Sequence, residues 1–152
     1  MEEFIMWNNI YEPDKTLIGK FSYSDDLLEV LNKFCDENNV KTGWLSIIGA
    51  VKRVKLGYYE QEKQEYISFE PVNSANGTTF EIANATGNIS IKDGKPFVHL
   101  HMVVTGKNGE SYGGHVMPGT LVFAGEFILQ AFNGKDLIRV KDEKTGLPLW
   151  KS

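Results

Sequence analysis

The feature that most constrains the fold of this chain is a succession of short segments rich in β-branched and aromatic residues. Eight such segments span residues 42–51, 52–60, 65–72, 78–91, 97–106, 112–117, 120–132 and 136–142. Two further strands are predicted at residues 3–8 and 15–22. Residues of these types favour strands, and the short connections with Gly, Asn or Lys favour antiparallel neighbours.

Only one segment, residues 24–38 (SDDLLEVLNKFCDEN), gives a convincing helical pattern. Ser24 is predicted to cap its amino terminus, and the apolar residues of one face are Leu27, Val30, Leu31 and Phe34. We therefore predict an α+β fold, in which a mostly antiparallel, strongly curved sheet carries one principal helix. With no linker or repeat in the sequence, residues 1–152 are expected to form a single domain.

The charge balance disfavours non-specific binding to nucleic acid. The net charge is -4, and only two cations are arginines, Arg53 and Arg139. The stretch KRVK, residues 52–55, is the only short basic patch. A single cysteine, Cys35, excludes an internal disulfide, and neither a signal sequence nor a long apolar run is recognisable. A cytoplasmic location is expected.

The segment 120–132 is apolar on both of its predicted faces. Strand alternation places Leu121, Phe123, Phe127 and Leu129 on one face, and Val122, Ala124, Ile128 and Phe132 on the other. Such a strand is expected to be covered on both sides, by the helix, a sheet or another subunit. Because one helix covers little of a large sheet, we expect a homo-oligomer.

All three histidines of the chain, His99, His101 and His115, lie within residues 97–115. Alternation along the first strand gives an apolar face made of Val98, Leu100, Met102 and Val104. His99 and His101 must then project together from the opposite face. The sequence Lys107-Asn108-Gly109 predicts a three-residue hairpin loop, with glycine in its left-handed position. That register places His115 opposite His101.

Three imidazoles converging on one face of a hairpin predict a divalent metal site. They supply three nitrogen ligands and leave one tetrahedral position open, which favours zinc over nickel, iron or manganese. Two other interpretations of the residues stay open. The histidines are near one another by chance, or they form a buried hydrogen-bonded cluster without a metal.

Residues 97–129, FVHLHMVVTGKNGESYGGHVMPGTLVFAGEFIL, resemble the signature of the plants-and-prokaryotes conserved (PPC) domain. That signature has an H-x-H strand, a turn, GGH, and a following PG strand with a glutamate. The upstream segment FEIANATGNIS resembles the family's FEI segment. The likeness covers residues 79–132 and, by the order of elements, the whole chain.

The resemblance implies a stand-alone prokaryotic form that assembles as a homotrimer, with zinc available to His99, His101 and His115. The fold is also similar to that of acetolactate decarboxylase, a zinc enzyme. Two departures concern nucleic acid and anions. The sequence contains no AT-hook, and Thr78 and Thr79 stand where relatives often have an arginine.

Three functions follow as hypotheses. The first is a trimeric metal-binding protein of unresolved role. The second is a DNA-binding regulator. The third is a metal-dependent lyase- or hydrolase-like enzyme that acts on a small molecule at the open position, with Glu126 as the candidate proton-transfer residue. Glu126 lies alone in an apolar run, and its alternative roles are a backbone-amide partner, an interface ion pair or a hydrogen-bond partner of a metal-bound histidine.

Overall fold

The computed structural model describes residues 8–71 and 78–151. The elements in chain order are β1 (Glu12–Lys20), α1 (Leu27–Glu37), β2 (Gly43–Arg53), β3 (Leu56–Glu60), β4 (Glu65–Phe69), β5 (Phe80–Lys92), β6 (Lys95–Thr105), β7 (Ser111–Val116), β8 (Leu121–Asn133), β9 (Arg139–Lys141) and β10 (Pro148–Trp150). The α+β prediction is confirmed. β10 was not predicted, and the predicted strand 3–8 falls almost entirely outside the described residues.

Eight strands form one sheet in the order β1-β8-β2-β5-β6-β7-β3-β4, and every neighbouring pair is antiparallel. β9 and β10 form a separate antiparallel hairpin. A parallel bridge between Ile91 and Ile138 attaches this hairpin to the end of β5. The β9–β10 hairpin therefore lies beside the strands that carry the histidines.

Helix α1 begins at Leu27, and its cap is Asp26 rather than the predicted Ser24. One carboxylate oxygen of Asp26 accepts hydrogen bonds from the backbone amides of Leu28 and Glu29, both at 3.2 Å. Residues 24–27 are tied to β8, where the Leu27 amide donates to the Thr120 carbonyl at 3.0 Å. This tertiary pairing delays the start of the helix, so the Ser24 prediction is wrong.

The core lies between α1 and one face of the sheet. Leu27, Leu31 and Cys35 of the helix are fully buried, and so are Leu45 and Leu100 of the sheet. Burial raises the pKa of the Cys35 thiol to about 12, as expected for a core cysteine without a reactive role. Among the residues that the structure describes, no helix is long and apolar enough to cross a membrane.

A β-bulge in β8 changes which of its residues face the core. Ala50 pairs with Ala124, but the next residue, Val51, pairs with Val122, so Phe123 is an additional residue in β8. Val122 and Phe127 are consequently both buried, whereas Phe123 is 48% exposed. The predicted grouping of Phe123 with Phe127 is wrong, because the extra residue inverts the alternation.

The outer face of β1, β8 and β2 carries four exposed apolar side chains among polar ones such as Lys20, Glu126 and Gln130. Ile18 pairs with Ile128, and Ile128 also lies opposite Ser46 of β2. The exposed fractions are 77% for Ile18, 48% for Ile128, 50% for Trp44 and 63% for Ile48. We call these four residues the outer apolar face.

Candidate metal site

The β6–β7 hairpin has the register that the sequence predicts. His101 pairs with His115, and Thr105 pairs with Ser111. The Gly106 amide donates to the Glu110 carbonyl at 2.8 Å. Gly109 adopts a left-handed φ of 82°, which glycine tolerates without steric cost. This short loop therefore fixes His115 on the same face as His101.

The structure brings the three histidines together on the face of the sheet opposite α1. One ring nitrogen from each lies within 4.8 Å of the others. His99 Nε2 and His101 Nε2 are 3.2 Å apart. Two nitrogens that bind one tetrahedral zinc at 2.0 to 2.1 Å are separated by about 3.3 Å. The two rings on β6 thus already have the spacing of ligands to one ion.

The environment of the cluster keeps its rings neutral. The pKa of both His99 and His115 is lowered from 6.5 to about 4, chiefly by burial, with smaller contributions from the charge of Arg139 and from neighbouring histidines. Burial also lowers the pKa of His101. Neutral imidazole is the form that coordinates a metal, so no proton has to be displaced from a cationic ring near pH 7.

His115 contributes a buried polar atom without a hydrogen bond. Among residues 8–71 and 78–151 its Nδ1 has no hydrogen-bond partner, while the ring stacks on Tyr66 with centroids 4.5 Å apart. A buried polar atom without a partner is costly, and a cation coordinated by this nitrogen would supply one. This atom and the nitrogen-only ligand set both fit a bound divalent transition metal.

Arg139 links the β9–β10 hairpin to the cluster. Its Nη2 lies 3.3 Å from His99 Nδ1 and donates to Asn88 Oδ1 at 2.9 Å. Because a guanidinium only donates, His99 Nδ1 is the acceptor and the ring proton is on Nε2, which can donate to His101. Binding a metal through His99 Nε2 would therefore require that proton to move or leave, and the bond from Arg139 to break.

A cavity of roughly 520 Å³ opens beside the cluster. His99, His115, Tyr66 and Arg139 line it, together with residues of α1, the end of β7 and the hairpin segment 147–149. The carbonyl of Thr145, just before that segment, accepts a hydrogen bond from the Tyr59 hydroxyl at 2.6 Å. The hairpin therefore forms one wall of the cavity.

Sequence reasoning missed Arg139 and Tyr66 as parts of this site. Arg139 is 40 residues from His99 in the chain, and no local pattern indicates where β9 docks. Tyr66 reaches His115 only because β3 pairs with β7, at Gly57 and His115, and β4 with β3. The only sequence signal for a role of Arg139 was its rarity, because the chain has just two arginines.

Glu126 is not among the residues that the structure brings to the cluster. It lies on β8, exposed, opposite Lys20 of β1 and Ile48 of β2. Two strands, β2 and β5, separate β8 from β6, and three strand spacings amount to about 14 Å. Within one subunit, Glu126 is thus remote from the histidines.

Neither arginine presents a free guanidinium at the surface. Arg53 of the KRVK patch forms an ion pair with Glu70, with Nη2 and Oε1 2.7 Å apart, and Arg139 is buried. Lys52 donates to Ser24 Oγ at 2.7 Å and lies over the Tyr23 ring. Two of the three cations of the patch, Lys52 and Arg53, are therefore engaged within the chain.

Comparisons with known proteins agree with the fold. The profile of the Plants and Prokaryotes Conserved (PCC) domain matches residues 9–133. A metal-containing protein from Archaeoglobus fulgidus is 37% identical, with a TM-score of 0.88 over 97% of this chain and 100% of its own. A plant- and prokaryote-conserved (PPC) protein from Pyrococcus horikoshii is 31% identical, with a TM-score of 0.86 over 97% of this chain and 98% of its own.

A third solved structure carries a different name. It is a "putative DNA binding protein" from Bacteroides thetaiotaomicron, 25% identical, with a TM-score of 0.79 over 94% of this chain and 98% of its own. A search of curated proteins gave no match. The profile and the two more similar structures confirm the resemblance that the H-x-H and GGH segments predict.

Proposed function

Since the chain belongs to the Plants and Prokaryotes Conserved domain family, we propose that it is a metal-binding member whose His99, His101 and His115 hold one divalent ion per subunit. Zinc is the ion that a set of three imidazoles suits best. The observation that carries the proposal is the separation of 3.2 Å between His99 Nε2 and His101 Nε2, with His115 completing the group. The Archaeoglobus fulgidus relative is itself named as metal-containing.

Three protein ligands would leave a coordination position open beside the cavity. A zinc ion held in this way would supply Lewis-acid chemistry or a bound water of lowered pKa. The chain's own residues do the rest: Tyr66 orients the His115 ring by stacking, and His99 and His115 line the cavity, while His101 is exposed to solvent. This arrangement supports the enzyme hypothesis as an extension of metal binding. A catalytic Glu126 would have to act from a neighbouring subunit.

We further propose that the protein is a homotrimer, expected in the cytoplasm and folded as one domain over residues 1–152. The outer apolar face supports assembly, because Ile48 is 63% exposed and Trp44 50% exposed, and Ile18 and Ile128 form an exposed cross-strand pair on the same face. Apolar patches of this kind mark protein interfaces. A buried, protonated Cys35 is in keeping with a reducing compartment.

DNA binding is the second candidate function, and the name of the Bacteroides thetaiotaomicron relative favours it. The contacts of Arg53 and Arg139 and the net charge of -4 weigh against it in this chain. A fluorescence titration with labelled duplex DNA at low and near-physiological salt separates the two candidates. We expect no binding at physiological salt, and affinity that persists there would favour the regulator.

The metal site is tested by comparing two variants on one strand. His101→Ala should reduce zinc uptake, measured by competition with a chromophoric chelator, from one ion per chain to none at micromolar zinc. Val103→Ala is the matched control, because Val103 lies two residues further along the same face, is 40% exposed and has no ligand atom. Undiminished zinc binding by folded His101→Ala would refute the proposal.

A further inference from the structure

Arg139 is a buried cation whose hydrogen-bond partners are all neutral. It is 9% exposed. Its Nε donates to Ser90 Oγ at 2.7 Å, its Nη1 to the Pro148 carbonyl at 2.8 Å and its Nη2 to Asn88 Oδ1 at 2.9 Å. In the described part of the chain, residues 8–71 and 78–151, the structure contains three ion pairs, and Arg139 takes part in none of them. Its charge is therefore held in place but not balanced.

A buried guanidinium without a carboxylate is unusual, since buried charges are normally paired. Burial lowers the pKa of Arg139, which reflects the cost of holding its charge there. The aromatic rings of Phe97 and Trp150 lie 5.3 and 5.7 Å from the guanidinium carbon and offset only part of this cost. An anion arriving from the cavity would offset more.

The cavity beside Arg139 is suited to a small molecule that is mostly apolar. Its volume of roughly 520 Å³ is within the range of small-molecule sites. Apolar lining residues come from α1, β6, the end of β7 and the β9–β10 hairpin, and they include Leu28, Val98, Val116, Met117 and Leu147. The acidic lining residues are on α1, where Asp26 is occupied as the helix cap and Glu29 is exposed. The histidines and Arg139 form the polar end.

We propose that this cavity binds a small organic carboxylate with an apolar body, with its carboxylate at Arg139 beside the three-histidine cluster and its body against the apolar walls. The inference rests on the proposed metal site, because the open coordination position adjoins the same polar end. A carboxylate fits better than a phosphate, since the walls are mostly apolar and their cationic residues are only Arg139 and Lys92, whose ammonium lies over the Phe97 ring at 5.1 Å.

The test uses zinc-loaded protein and three probes: sodium benzoate, neutral benzyl alcohol and inorganic phosphate. Isothermal titration calorimetry should show benzoate binding with at least about tenfold higher affinity than benzyl alcohol or phosphate, because a charge-assisted pair contributes roughly 1.5 to 3 kcal/mol. Equal affinity for benzoate and benzyl alcohol, or tighter binding of phosphate, would overturn the inference.

Two variants locate the binding. Arg139→Gln should weaken benzoate at least about tenfold and leave benzyl alcohol unchanged, whereas Arg53→Gln, at the surface ion pair, should change neither. Because Arg139 also holds the hairpin, Leu147→Trp is a second variant, which fills the cavity and keeps the guanidinium. It should abolish benzoate binding while zinc uptake stays at one ion per chain. Retained benzoate affinity in folded Leu147→Trp contradicts the inference.

Zinc uptake is measured on the same samples, so the two proposals fail separately. If the protein takes up zinc but not benzoate, the metal-site proposal stands and the carboxylate inference is refuted. If the protein takes up no zinc, the proposed function is refuted. The carboxylate inference is then tested on the metal-free form. There, benzoate binding that depends on Arg139 supports it, and its absence refutes it.

Discussion

Acid should destabilise the metal-free protein through two of its histidines. In the folded chain the pKa values of His99 and His115 are about 4, compared with 6.5 when unperturbed. Between these values the unfolded chain binds protons that the folded chain does not. The stability that depends on these two histidines is therefore fully present above about pH 6.5 and is lost as the pH falls towards 4. Below pH 4 these groups cause no further change.

The magnitude follows from the same values. Lowering a pKa from 6.5 to about 4 corresponds to roughly 3 kcal/mol per histidine, before allowing for the solvent contact of these partly buried rings. We expect a combined loss of about 4 kcal/mol, a large share of the stability of an ordinary domain. For a slope of about 2 kcal/mol per molar urea, the unfolding midpoint should fall by about 2 M between pH 7 and pH 4.

The assay is urea unfolding followed by tryptophan fluorescence, with a chelator present throughout. The matched protein is His99→Gln/His115→Gln, which removes both titrating rings and leaves every carboxylate in place. Its midpoint should fall by much less over the same interval. If the two proteins lose stability in parallel between pH 6.5 and 4, the burial argument for the histidines is wrong.

Two further predictions concern assembly and the backbone under the site. Ile48→Asp places a charge on the outer apolar face and should convert the proposed trimer to monomer, as measured by sedimentation velocity. Val140→Asp, at an exposed position on β9, is the control and should leave the assembly intact. A trimer that survives Ile48→Asp would show that this face is not the interface. Gly87→Ala should cost about 1 to 3 kcal/mol and weaken zinc binding, because its Cβ would meet the backbone of His99 and Leu100. Gly113→Ala is the control, because its Cβ would meet the Val103 side chain, at 3.2 Å, rather than backbone. Equal losses of stability and zinc affinity in the two variants would argue against a rigid strand beneath His99.

The histidine hairpin could be predicted from sequence because its determinants are local. Alternation along β6 fixes the face of His99 and His101, and a loop ending in Gly109 fixes the register that brings in His115. No distant element has to be placed for this argument. The order of strands along the chain, and hence the α+β class, is local in the same sense.

The parts that could not be predicted depend on tertiary contacts. The bulge at Phe123 arises from the pairing of β8 with β2. The alternation of residues within β8 alone does not reveal it. Asp26 becomes the cap because residues 24–27 pair with β8. Arg139 reaches His99 because its hairpin docks on β5, through the bridge between Ile91 and Ile138 and the hydrogen bonds of Arg139 itself. In each case the deciding partner is remote in the chain.

The three clustered histidines and the guanidinium beside them lie in different stretches of the polypeptide. His99, His101 and His115 fall inside residues 9–133, which the family profile spans, whereas Arg139 arrives on the hairpin after Asn133. Substitutions in that hairpin would change the guanidinium that lines the cavity and, through the contact between Arg139 and His99, the hydrogen bonding of one proposed ligand. The hairpin is thus a second place, separate from the histidine strands, at which sequence changes in this chain can tune the chemistry of the cavity.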